Sequence, residues 1–392
     1  MKKNARVLGV DMVKFSKPGT NEPYEVMAAK AVKGALTDAG IEYREVEQAF
    51  AGYVYGDSTC GQRALYDIGM TGIPIINVNN NCSSGSSALF MARQAVESGE
   101  VECALAFGFE EMKPGALGSV WEDRTPPLGW MIDHLEEIDP NIPNSPEAIK
   151  MFGAAGSAYL EKYGANPNIF AKVAVKTRNH AVLNPYSLFN NKLSIEEVMN
   201  APLLYPTLTR LMACPPTCGA AAAIVCSENF AKKHGVEHAV TIIGQAMTTD
   251  TVVTYENPMT LVGAEMTQRA AKIVYEKSGF GPQDIDVIEL HDCFTPNEVI
   301  TYEGLGLCGE GEAEKFISDG NNTHGGKYVI NPSGGLMSKG HPLGATGLAQ
   351  CTELVWQLRG QAGKRQVEGA KIALQHNLGL GGACVTTMYQ LG

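Results

Sequence analysis

Two stretches far apart in the chain read as copies of one another: NCSSGSSALFMARQAV, residues 81–96, and GHPLGATGLAQCTELV, residues 340–355. They align without a gap, matching Gly85 with Gly344, Leu89 with Leu348 and Val96 with Val355, and they set Cys82 opposite His341. Each is a polar, glycine-containing turn that runs into an apolar helix. Upstream of both lies a second pair, AKAVKGALTDAGIEYREVEQAFAG (29–52) and AAKIVYEKSGFGPQDIDVIELHDC (270–293), each a helix stopped by glycine (Gly40, Gly279), then a charged link and a β-like run. Glycine just past a helix supplies the left-handed residue that closes its last turn. Self-similarity of this kind means two related units. Each unit reads strand, helix, strand, polar turn, buried helix, strand, and this alternation predicts layered α/β sheets.

A first half over 1–112 and 207–245 and a second half over 246–392 are therefore expected. Between them, residues 113–206 carry Pro126, Pro127, Pro140, Pro143, Pro146, Pro167 and Pro185 and suggest irregular loops with only short helical stretches such as IKMFGAAGSAYLEKYG (149–164). Long insertions in compact folds serve as lids or binding loops. This one is the candidate for substrate recognition, although core packing explains its Met131 and aromatic residues as well.

The bulk numbers exclude several classes. Lys plus Arg number 31 against 42 Asp plus Glu, a net charge of -11, which argues against nucleic acid as the main partner because phosphate binding needs a basic surface. No apolar run approaches the roughly 18 residues of a membrane span, and the start, MKKNARVLGVDMVKF, has no apolar core with a cleavage site. With no leader evident, the ten cysteines scattered over 392 residues are expected to be reduced thiols. The ending MYQLG is not a peroxisomal tripeptide address.

Four loops could carry chemistry. Cys82 enters a helix, where unpaired backbone N–H groups and the dipole favour thiolate; a buried structural cysteine is the plain alternative. His341 begins the matching helix, so the repeat relates an imidazole to the thiol, and a Cys–His pair is a nucleophile with its base. In VIELHDCFTPNE, His291, Asp292 and Cys293 close a β-run, and strand ends in α/β proteins are where ligands bind. The glycines of QHNLGLGGACV precede a β-run, not a helix, so they do not form a dinucleotide fingerprint and more plausibly bring backbone close to a ligand. Cys214, Cys218 and Cys226 have no matching His or Cys pair, so no metal site is expected.

NNNCSSGS, HDCF and NPSGG followed by SKGHPLGATG, in this order over nearly the whole chain, resemble the thiolase superfamily. HDCF in place of NEAF, with GYVYGDSTCGQRALYDIGMTGIPIINVNNNC and LVWQLRGQAGKRQV, is similar to thiolases of the sterol carrier protein type. The resemblance implies an α/β thiolase fold, two similar βαβαβαββ halves in five layers (αβαβα) with helices enclosing two mixed sheets and an inserted loop domain, and a homodimer. It implies an acyltransferase of fatty acid β-oxidation that cleaves 3-ketoacyl-CoA with coenzyme A as co-substrate, giving acetyl-CoA or propanoyl-CoA and a shortened acyl-CoA. No permanently bound cofactor is implied. The compartment would be the cytoplasm of a bacterium, or a peroxisome or other organelle.

Carried over position by position, Cys82 would be the acylated nucleophile and His341 its base. His291, with His341, would form an oxyanion hole for the enolate. Most thiolases take an acid/base cysteine from a C-x-G loop that here reads NLGLGG, so Cys293 of HDCF would supply that thiol. A second oxyanion hole would use the backbone N–H of Cys82 and one from the Gly379–Gly381 turn, assigned to Gly381. Cys218, where the family has Asp, is read as a changed structural cap. No sterol-carrier domain follows Gly392, so sterol transfer is not expected. Two rivals stay open: an aldolase of the same fold that splits β-hydroxyacyl-CoA with an accessory partner, and a non-catalytic acyl-CoA or lipid-binding protein.

Overall fold

The computed structural model describes residues 4–115, 118–236 and 239–392; the first three residues of the MKKN start lie outside the described residues. The first half runs β1 (Arg6–Met12), α1 (Tyr24–Ala39), β2 (Gln48–Gly52), α2 (Cys60–Tyr66), β3 (Ile75–Val78), α3 (Ser84–Ser98) and β4 (Cys103–Glu110). The insertion follows, with α4 (Gly129–Ile138), α5 (Glu147–Tyr163), α6 (Asn168–Ala181), α7 (Ile195–Met199) and a hairpin of β5 (Leu203–Tyr205) and β6 (Leu208–Thr209). β7 (Gly219–Cys226) then completes the first half and leads through α8 (Glu228–Lys233) into the second. That half comprises β8 (Val240–Thr248), α9 (Pro258–Leu261), α10 (Ala264–Ser278), β9 (Val287–Glu289), α11 (Thr295–Gly304), α12 (Ala313–Ser318), β10 (Val329–Ile330), α13 (Leu343–Leu358), β11 (Ile372–Gly379) and β12 (Ala383–Leu391). Position 245/246, the boundary expected between the halves, falls inside β8.

The repeat is visible in the strand order, β3-β2-β4-β7-β1 in one half and β10-β9-β11-β12-β8 in the other. Both have three parallel strands followed by two antiparallel ones. The sheets are not separate, however. Arg6 pairs with Thr241 and Val7 with Val240, so β1 and β8 join the halves into one ten-stranded sheet. Meeting edge to edge satisfies backbone groups that two free edges would expose.

Alternation along each strand sorts side chains to opposite faces. Leu8, Leu105 and Phe107 face outward into the core beneath α1 and α2, while Val7, Ala104 and Ala106 face inward. In the second half Ile288, Leu374 and Met388 face α10 and the insertion, and Val287, Ala373 and Tyr389 face inward. α3 and α13 fill the space between, giving five layers of helix, sheet, helix, sheet, helix. Every residue of α13 except Trp356 is buried. The two central helices touch at their first turns, where a Cβ on Gly85 would lie 2.6 Å from the Gly344 carbonyl oxygen and one on Gly344 would lie 2.5 Å from the carbonyl oxygens of Gly52 and Phe109. Only glycine fits there.

The insertion is more helical than its prolines suggest. α5 and α6 run for 17 and 14 residues, with Pro146 and Pro167 at their N-caps. There the missing N–H removes no helical hydrogen bond, so these prolines start helices instead of breaking them. α5 buries Met151, Phe152, Ala155 and Tyr159, and Phe152 stacks on Phe294 at 4.9 Å. Lys176 of α6 pairs with the buried Glu298 of α11. The insertion is thereby anchored beside the HDCF motif. Among the described residues no helix is long and apolar enough to cross a membrane.

Candidate active site

The asparagines and serines around Cys82 bond mainly to one another. Ser83 Oγ donates to Asn80 O at 2.9 Å, Ser84 Oγ to Asn81 O at 2.6 Å, and Asn80 N to Ser84 Oγ at 2.9 Å. Asn81 takes φ 49°, a left-handed conformation that asparagine tolerates. This self-satisfied turn fixes Cys82 at the mouth of α3. β11 ends against it: a Cβ on Gly379 would fall 2.2 Å from Asn80 O, and Asn81 Nδ2 donates to Leu380 O at 3.1 Å. The approach turns the Leu380 N–H, together with that of Cys82 itself, toward the Cys82 sulfur. Gly381, the expected donor, is exposed instead.

Cys82 is buried, and its thiol pKa is pushed up to about 12, chiefly by desolvation and then by the nearby Glu110 carboxyl, against which the two backbone N–H groups act only weakly. Burial therefore works against the thiolate that the helix-end position favours. Glu110 accepts hydrogen bonds from the backbone N–H groups of Val54, Tyr55 and Gly344, and burial raises its pKa to about 7.

His341 precedes α13 and lies in reach of the thiol: Cys82, His291 and His341 each contribute a ligand-type atom, all within 4.8 Å of one another. This spacing would also accept a metal ion. His341 Nδ1 is 2.7 Å from Thr346 Oγ1, whose hydroxyl donates to Pro342 O at 2.9 Å. With that hydroxyl donating to Pro342 O, Nδ1 carries the ring proton and Nε2 keeps a lone pair. Nε2 is buried with no partner, and burial lowers the His341 pKa to about 3. The His291 ring meets that of His341 edge to face at 5.0 Å. Burial, then His341 and His376, hold its pKa well below the usual imidazole value.

Cys293, next in the same loop, is also buried, and burial followed by the neighbouring Cys214 and Cys82 thiols raises its pKa. Cys214 N donates to Cys293 O at 2.8 Å. Sequence reasoning considered Cys214 only as a metal ligand and missed this place beside the site, for which its local sequence carries no signal. Thr346, five residues after His341, and Asn377, within the QHNLGLGG glycine loop, were missed too, although both contact an active-site imidazole. Leu128, at the start of α4, packs on Gly381. Behind the Leu380 turn Met131, Leu261, Val262, Met266 and Leu378 line a narrow crevice. A larger, open cavity beside Trp356 and Lys364 lies at the far end of α13, roughly 24 Å of helix away from His341.

The architecture and this thiol–imidazole cluster define a thiolase-type protein. The Thiolase, N-terminal domain family matches residues 9–198, and the Thiolase C-terminal domain-like family matches residues 244–389. The chain belongs to the thiolase superfamily. It is 56% identical to sterol carrier protein 2 of Oryctolagus cuniculus over 98% of this chain and 72% of that protein. Among solved structures it superposes on the Ltp2-ChsH2(DUF35) aldolase with a TM-score of 0.83 at 24% identity, covering 99% and 98% of the two chains. Human mitochondrial 3-ketoacyl-CoA thiolase in complex with CoA gives 0.76 at 18% identity, covering 100% and 98%.

Proposed function

We propose that the protein is a 3-ketoacyl-CoA thiolase working through an acyl-Cys82 intermediate. The observation that carries this is the close approach of Cys82, His291 and His341, with the Cys293 thiol beside them. A thiol near pKa 12 and an imidazole near 3 rest as a neutral pair. As Cys82 Sγ attacks the 3-keto carbon, its proton passes to His341 Nε2 and negative charge appears on the keto oxygen, facing the N–H groups of Cys82 and Leu380. Removing one such donor typically costs about 2.7–4 kcal/mol. Breaking the C2–C3 bond moves its electrons into the thioester, whose oxygen His291 and His341 hold as an enolate. The Cys293 thiol then protonates C2 and releases acetyl-CoA. In the second half-reaction the Cys293 thiolate takes the proton of incoming CoA, whose sulfur attacks the acyl carbon, and Cys82 leaves as thiolate and recovers its proton from His341 Nε2.

Membership of the thiolase superfamily supports acyl-CoA substrates. The insertion, seated against Phe294 and the Gly381 turn, would shape the acyl pocket. A homodimer is part of the same reading. Acetoacetyl-CoA and CoA mixed with the protein should lose the ketoester absorbance, and mass spectrometry should find an acyl group on Cys82 that Cys82→Ala abolishes. Neither turnover nor adduct would remove the proposal and leave the aldolase or the silent binder.

A further inference from the structure

We infer that Asn377, held by Ser86, is a positioning residue that fixes His291 as an Nε2–H donor, the tautomer opposite to the one Thr346 imposes on His341. Its catalytic meaning rests on the thiolase reading. Asn377 Nδ2 lies 3.1 Å from His291 Nδ1. An amide nitrogen only donates, so Nδ1 accepts and the ring proton sits on Nε2.

The orientation of the amide is settled at its other end. Ser86 Oγ is 2.8 Å from Asn377 Oδ1 and accepts from Gln375 Nε2 at 2.9 Å. Gln375 is itself oriented, since the Tyr389 hydroxyl donates to its Oε1 and its Nε2 also donates to Gly347 O at 2.6 Å. Among the described residues Asn377 Oδ1 is the one acceptor in reach of the Ser86 hydroxyl, so a flipped amide would leave that buried proton unpaired. Gly347 keeps the junction open, because a Cβ there would fall 2.1 Å from Ser86 Oγ and 2.6 Å from Asn377 Oδ1. Ser86, Gln375, Asn377 and His291 are all at most 1% exposed, so an unpaired orientation would be costly.

The two rings then differ in what they offer. His341 Nε2 starts as an acceptor and can take the thiol proton, while His291 Nε2 starts as a donor. Once His341 is protonated, both present N–H to the thioester oxygen when the carbon–carbon bond breaks.

Asn377→Asp keeps the shape but presents a carboxylate, which draws the ring proton to Nδ1. We expect kcat to fall roughly 10²–10³-fold with little change in KM, the loss of one hole donor. The deficit should shrink as pH falls, because a carboxylate beside the ring favours the imidazolium, which carries both N–H groups. The titratable groups facing His291 are His341, His376 and Cys82. Ser86→Ala, which frees the amide to turn, should show a smaller loss of the same sign. Spectra of ¹⁵N-histidine in the wild-type protein should show His291 protonated at Nε2 and His341 at Nδ1. A wild-type His291 protonated at Nδ1 overturns the inference, as does an Asn377→Asp protein with wild-type kcat and pH profile. Absence of an acyl adduct in the wild type would sink the thiolase reading alone, and the tautomer spectrum would still decide this one.

Discussion

At the level of single residues, Cys82 shows how burial reverses a local rule. The N–H groups of Cys82 and Leu380 face the sulfur, yet burial pushes the thiol pKa up to about 12. Alkylation of Cys82 by iodoacetamide in the free protein should therefore keep rising with pH from 7 to 10, each unit adding thiolate, with no plateau. A plateau near pH 7 would show a resting thiolate and refute the burial argument. Cys82, His341, His291 and Cys293 were legible because a repeat and a strand end mark them. Their partners were not. Ser86 and Asn377 are 291 positions apart, and only the approach of β11 to α3 brings them together.

Among the elements, the alternation of strands and helices in each half follows from the repeat and from glycines at helix ends, and the fuller βαβαβαββ order, which the resemblance implies, is the one the structure has. The stretch 149–164 read as helical and is α5, whereas α6 escaped because proline was taken as a breaker where it begins a helix. The pairing of β1 with β8 escaped because no local pattern encodes which edges meet. The seat of α13 against the ends of β2 and β4 carries its own test. Gly344→Ala would push a methyl to within 2.6 Å of backbone atoms of Gly52, Tyr53 and Phe109, none of which can swing aside as a side chain can. We expect a loss of at least about 3 kcal/mol in urea unfolding, the upper range for overpacking. A variant with wild-type stability would mean that α13 is free to move away from the ends of β2 and β4.

For the whole molecule, the site exists only where both halves are present: Cys82 and Ser86 come from the first, and His291, Cys293, His341 and Asn377 from the second. α13, buried almost all round, packs on α3, β4 and β7 of the first half as well as on β9 and β11 of its own. A fragment of residues 240–392 made alone should thus show no cooperative thermal transition. A sharp melt of that fragment would contradict the shared central layer.

Across the internal dyad, corresponding positions carry sulfur on one side and nitrogen on the other. Sulfur at both would invite an oxidised cross-link and leave no base; nitrogen at both would leave nothing to be acylated. Duplication alone cannot build such a centre, which requires the two copies to have parted company at the point where they come nearest.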